Sequence, residues 1–119
     1  MAVLGLDHVN IEGPPSLIEA CRRFYVDVVG LREGARPPFR SRGFWLYAGE
    51  VAVVHLSERD VPEAVQESGP FAHFALLCTG LEAAAERLQR HGVPFERDGV
   101  PATGHTQLFL HDPAGWRWS

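Results

Sequence analysis

Long apolar runs, a surplus of positive charge and a cysteine framework are all missing from this sequence. No window approaches the ~18 consecutive apolar residues of a membrane-spanning helix, so no membrane is expected as a partner. The net charge is −4, from 15 acidic and 11 basic residues. No basic stripe exists to follow a phosphate backbone, so nucleic acid is not expected either. Such an acidic balance favours a cationic ligand over an anionic one. Two cysteines, Cys21 and Cys78, are too few for a disulfide framework and sit in apolar stretches, where they read as small buried hydrophobes. The N-terminal segment lacks the basic start and long apolar run of a signal peptide, which makes a reducing cytoplasm the expected location.

What remains is ordinary globular material. The 119 residues are 45% hydrophobic and 22% charged, enough for one domain with a modest core. Residues 2–12 carry apolar and β-branched residues in alternation and end at Gly13-Pro14-Pro15, which predicts a strand. Ser16 stands three residues before Glu19, the spacing of a capping box. Leu17, Ala20, Cys21, Phe24 and Val28 then follow the spacing of one helical face, and Gly30 is placed to end that helix in a left-handed conformation.

From Phe71 the same order recurs. FAHFALLC predicts a strand, Thr79 and Glu82 a second capping box, and Leu81, Ala84, Ala85 and Leu88 an apolar stripe closed by Gly92. The halves match at offsets of about 62 to 65 residues, pairing His8 with His73, Ser16 with Thr79, Glu19 with Glu82 and Gly30 with Gly92. Strand signals follow each helix: Leu31–Glu33, Gly43–Ala48 and Val51–Leu56 in the first half, Val93–Arg97, Thr106–His111 and Trp116–Ser119 in the second. Asp112-Pro113-Ala114-Gly115 fits a type I turn joining the last two strands. The expected organisation is βαβββ twice: module 1 at 1–57, a polar, proline-containing linker at 58–70, and module 2 at 71–119. Arg36–Arg42 is a second irregular stretch, expected as a loop over a pocket mouth.

A duplicated βαβββ pattern with histidine near the end of each first strand resembles the vicinal-oxygen-chelate superfamily of glyoxalases, bleomycin resistance proteins and extradiol dioxygenases. The resemblance rests on Leu6-Asp7-His8-Val9, the run from Phe24 to Glu33, Phe44-Trp45-Leu46-Tyr47, Val54-His55-Leu56, Ala72-His73-Phe74 and Gln107–Gly115, and so covers essentially the whole chain. It implies an α+β fold in which two modules form an incomplete, cup-shaped mixed β-barrel with the helices outside. It also implies a divalent metal held by residues of the first and last strands. Carried over by position, the ligands are His8, His55 and His73, and the metal is Zn, Fe, Ni or Mn. The fourth place, in the pattern Asp-Pro-x-Gly-x-x-x-Glu, falls on Ser119, a poor ligand.

Two functions follow from the resemblance. One is a metal-dependent lyase, isomerase or dioxygenase acting on a small molecule with vicinal oxygens, the metal serving as a Lewis acid. The other is a metal-free protein of the bleomycin-resistance type that sequesters a small planar ligand. The first is the leading expectation and the second the alternative, which Ser119 in place of a carboxylate and the many aromatic residues support. Trp45, Tyr47, Phe109 and Arg117 are the expected contacts to the small molecule, with arginine able to grip a carboxylate or phosphate in a bidentate fork. Each histidine taken singly also reads as a core residue whose ring nitrogens need partners. His91, His105 and His111 sit at a helix end, in a loop and beside a turn, where roles away from the site account for them. No nucleotide cofactor is expected, and a homodimer is.

Overall fold

The computed structural model describes residues 1–2, 4–60 and 73–119. The chain divides into two compact units, residues 1–64 and 65–119, and its fold is α+β. The first unit runs β1 (Val9–Gly13), α1 (Pro15–Arg23) continued by a π-helical turn (Phe24–Val29), β2 (Arg32–Gly34), β3 (Gly43–Ala48) and β4 (Val51–Glu58). The second runs α2 (Leu81–Arg90), β5 (Glu96–Gly99), β6 (Thr106–His111) and β7 (Arg117–Trp118).

In the first unit the four strands form one open sheet in the order β1-β4-β3-β2. β1 lies parallel to β4, pairing Val9 with Val54 and Ile11 with Leu56, while β3 is antiparallel to both of its neighbours. Parallel pairing of the first and last strands requires a crossover, and α1 supplies it. The helix packs on β1, β3 and β4. Ile18, Cys21 and Tyr25 are buried on its inner side and meet Ile11, Leu46, Val54 and Leu56, which are buried on the sheet. Each large aliphatic residue so buried contributes about 2 kcal/mol. Of the expected stripe, Cys21 and Phe24 are buried as predicted, Leu17, Ala20 and Val28 only partly, and Ile18 and Tyr25 join the buried face, the helix continuing as a π-helical turn over Phe24–Val29. Gly30 closes it at φ 94°, as its position predicts, and Tyr25 O accepts from the Gly30 and Leu31 amides.

The expected strand 2–12 is paired only from Val9 onward. Neither capping box forms. Pro14 and Gly80 are the N-caps, and neither helix has a side-chain cap. Ser16 lies inside the first turn, and Glu19 accepts instead from Arg22 Nε at 2.9 Å, while Glu82 is taken by Arg97 at 2.6 Å. A charged guanidinium outcompetes a backbone amide for a carboxylate that can reach both. These arginines hold the Glu19 and Glu82 carboxyls below the usual carboxylate range.

In the second unit the sheet order is β5-β6-β7. β6 and the position of the turn after it are as the sequence predicts. Gly115 N donates to Asp112 O at 2.9 Å, closing the turn across Pro113 and Ala114. Of the strand expected from Phe71, the first two residues lie outside the described residues, and among the rest there is one parallel bridge, between Phe74 and Trp118. Phe74 N donates to Arg117 O, Ser119 N to Phe74 O and Leu76 N to Ser119 O, at 3.1, 2.8 and 2.9 Å. The expected linker, 58–70, begins inside β4 at Glu58 and passes from residue 61 outside the described residues.

Asp112 is buried at 6% exposure and pins this last hairpin. Its Oδ1 accepts from Trp116 N at 2.9 Å and its Oδ2 from Trp118 Nε1 at 3.2 Å. Asp112→Ala strips both indole and amide of their acceptor and should cost about 3 kcal/mol, with Asp112→Asn less damaging. Urea unfolding measures this, and a loss under about 0.5 kcal/mol would show that the hairpin does not depend on the carboxylate.

Candidate functional site

Register decides which side chains share the face of the first sheet turned away from α1. Trp45 pairs with His55 across β3 and β4, and Asn10 pairs with His55 across β1 and β4. His8 stands two residues before Asn10 and therefore on its face. The result is a stack of rings. His8 and His55 lie with centroids 3.7 Å apart and planes inclined by 13°. Trp45 covers His55 at 4.0 Å and 10°. Phe39, from the loop before β3, adjoins Trp45 at 6.3 Å and 46°, and the Arg36 guanidinium lies 4.9 Å from the Phe39 centroid.

Alternation along the sequence places His55 beside Val51 and Val53. The structure corrects this, because the register shifts between Leu46 and Tyr47 and leaves Val53 without a partner on β3. His55 consequently shares the face of Trp45. Gly43 opens β3 where no side chain fits, since a Cβ there would lie 2.0 Å from Leu56 O. That close approach holds β3 against β4 and fixes Trp45 over His55.

Each imidazole in the stack has one nitrogen engaged. His8 Nδ1 donates to Asp7 Oδ2 at 2.6 Å, and His55 Nε2 donates to Ala52 O at 3.0 Å. The tautomers follow from the acceptors, since a carboxylate and a carbonyl can only accept. His55 Nδ1 is left with a lone pair. His55 is 9% exposed. Burial, and after it the His8 ring, push its pKa below the ordinary histidine value, with the Arg36 charge acting in the same direction. The buried ring is neutral near pH 7.

This arrangement fits metal chelation poorly. An ion shared by two imidazoles lies near both ring planes, at about 2.0–2.1 Å from each nitrogen. Rings stacked 3.7 Å apart at 13° have planes that meet only far outside the pair. Among the described residues, no group of three or more His, Cys, Asp and Glu side chains is gathered for an ion. His73, the third expected ligand, belongs to the second unit.

In that unit His73 meets Phe109 edge-on at 5.3 Å, and the Arg117 guanidinium lies 4.2 Å over the same ring. Arg117 also reaches Glu96 at 3.9 Å. Of the expected small-molecule contacts, Phe109 and Arg117 thus stand together. Trp45 stands in the first unit's stack. Tyr47 is diverted: its hydroxyl donates to Ala35 O and Arg32 covers its ring at 5.1 Å. Sequence reasoning counts Phe39 among the aromatic residues of the later strands and nearby loop and marks the run from Arg36 to Arg42 as a loop, but it does not single out Arg36 or Asp7.

Ser119 occupies the place that its position in the repeat predicts. The parallel bridge Phe74–Trp118 matches the pair Val9–Val54, so the next residue, Ser119, matches His55. Its Oγ is buried with no hydrogen-bond partner.

A family model described as Glyoxalase/Bleomycin resistance protein/Dioxygenase superfamily matches residues 5–119. No curated protein matches the chain. Among solved structures, a glyoxalase family protein from Bacillus anthracis is 23% identical with a TM-score of 0.76, the match covering 99% of this chain and 93% of that one. An antibiotic binding protein from a Streptomyces species is 22% identical with a TM-score of 0.69, covering 99% and 94%. A fosfomycin resistance protein from Listeria monocytogenes, solved with Mn(II), is 14% identical with a TM-score of 0.66, covering 98% and 90%. At these identities the likeness establishes the fold.

The depressed His55 pKa has a consequence for stability. The unfolded chain takes up this proton more readily than the folded one, so the contribution is full above the ordinary value, ~6.5, and is lost as the pH falls through the lower folded value. Acidification from about pH 7 to about pH 5 should destabilise the protein, and His55→Gln should flatten that part of the profile. Superimposable pH profiles of the two proteins in chemical denaturation would refute the linkage.

Proposed function

The chain belongs to the glyoxalase/bleomycin resistance protein/dioxygenase superfamily, and from that premise we propose that it is a small-ligand binding protein. Its ligand is a planar molecule taken against the ring stack of the first unit, in the manner of the family's sequestering members. The observation that carries this reading is the near-parallel stacking of His8, His55 and Trp45. A row of stacked rings ending in an indole forms a platform for another ring, for which offset stacking is the favoured contact. The antibiotic binding protein among the structural neighbours supports a carrier role for this fold.

A second reading has its own observation. Each of His8 and His55 has one nitrogen held by an oxygen acceptor and the other free, which is how metal-bound histidines are oriented. On that reading His8, His55 and His73 hold Zn, Fe, Ni or Mn, and the chain is a lyase, isomerase or dioxygenase for a molecule with vicinal oxygens. Bound metal would supply Lewis acidity. It requires His8 to rotate out of the stack, and Ser119 adds no carboxylate.

Metal analysis and calorimetry on untagged protein separate the two. The binding reading expects far less than stoichiometric metal. It also expects naphthalenemethanol, a neutral planar probe, to bind and to lose roughly tenfold in affinity in Trp45→Leu. Near-stoichiometric Zn, Fe, Ni or Mn that disappears in the His8→Ala, His55→Ala double variant would overturn it in favour of the enzyme. We also propose a soluble, cytoplasmic homodimer. No helix among the described residues is long and apolar enough to cross a membrane. Leu4 and Leu6, 98% and 78% exposed, suit a contact between copies. Sedimentation equilibrium should give twice the chain mass, and Leu4→Asp, Leu6→Asp should halve it; a monomeric parent protein would refute the pairing.

A further inference from the structure

The charge around the stack runs against that of the chain. Every one of the 11 basic residues is arginine, and residues 34–49 carry three of them, Arg36, Arg40 and Arg42, with no carboxylate. These are the loop before β3 and β3 itself, the segment that delivers Phe39 and Trp45 to the stack. Among the described residues, none of the three forms an ion pair, whereas Arg22, Arg59 and Arg97 each do. Arg36 is half-buried and continuous with the rings. Its terminal nitrogens donate to Ser41 O and Oγ at 3.0 and 3.3 Å, which fixes the guanidinium over Phe39, and its Nε has no partner. A guanidinium held by neutral acceptors retains its whole charge and several N–H groups.

We propose that the ligand of this site is a planar aromatic molecule bearing a carboxylate, its ring packed against Trp45 at the end of the row that His55 and His8 continue, and its charge met by Arg36 and the loop arginines Arg40 and Arg42. The inference rests on the binding reading above and narrows it to one chemical class. A carboxylate matches the planar fork of arginine, and in a partly desolvated setting that contact is about twice as strong as a neutral hydrogen bond. The net charge of −4 would lead to a cation instead, but long-range charge is screened over ~8–10 Å in ordinary salt, so the unpaired local arginines decide. Among the described residues, Asp7 is the one acid hydrogen-bonded to the stack, and it lies at the other end, on His8.

Three probes with the same ring system separate the terms: naphthoate, naphthalenemethanol and naphthylmethylammonium, titrated into the intact chain by calorimetry. Naphthoate should bind roughly tenfold tighter than the alcohol, and the ammonium more weakly than either. The advantage of naphthoate should disappear in Arg36→Gln and shrink severalfold as NaCl rises from about 0.05 to about 0.5 M. Because Arg36 also braces its loop, the Arg40→Gln, Arg42→Gln double variant gives a second measure, expected to reduce the ratio of naphthoate to alcohol affinity; an unchanged ratio in both variants would overturn the role of the arginines. If alcohol and acid bind equally, or the ammonium binds best, the carboxylate inference fails while the planar platform stands. If no probe binds, or Trp45→Leu leaves all three affinities unaltered, platform and carboxylate fall together.

Discussion

Val53 has no partner on β3, and the pairing on either side of it differs by one residue. An unbroken hairpin from the two-residue turn at Gly49 and Glu50 would set Trp45 opposite Val54 and His55 opposite Phe44. Opposed residues share a face, so His55 would then point with Phe44 toward α1, where the Arg22 guanidinium lies 5.4 Å over the Phe44 ring. The inserted residue moves every side chain of β4 beyond it to the other face. Val54 joins Leu46 in the core, both fully buried, and His55 emerges beneath Trp45. The ring stack, the carbonyl of Ala52 that fixes the His55 tautomer, and the depressed pKa of that ring all follow from this one extra residue.

The β-bulge explains the limit of what the sequence disclosed. Alternation and turn chemistry located β3, β6 and the Asp112 turn, because those features depend on residues within a few positions of one another. The position of a bulge depends on what the two strands bury, and nothing within VAVV marks Val53 as the one left over. The helices show the same division. Their apolar stripes were legible, but their capping boxes were not formed, because Glu19 and Glu82 have arginine partners that a local reading of four residues leaves out.

The site was half legible for related reasons. The sequence groups His8 and His55 in one expected ligand set, and the parallel pairing of β1 with β4 brings their rings into contact. Their relation to each other was not legible. Histidines at matching strand positions read as ligands converging on an ion, whereas the registers of β1 and β3 against β4 place their rings face to face in a row with an indole. Tyr47 illustrates a further limit: it follows Trp45 by two and belongs to the same face, yet its hydroxyl finds Ala35 O and its ring finds Arg32, which removes it from the row.

The repeat fixes places more strictly than it fixes chemistry. Val9–Val54 and Phe74–Trp118 are the same parallel contact in the two units, and they put His55 and Ser119 in corresponding positions. Around the first, the neighbours are two flat rings and a guanidinium, so the imidazole stays neutral and stacked. Around the second, His73 meets Phe109 by its edge and Arg117 covers the opposite member of that pair, while the serine hydroxyl is buried without a partner. Corresponding places in the two units thus carry an imidazole in one and a hydroxyl in the other, and each side chain takes its setting from the neighbours of its own sheet.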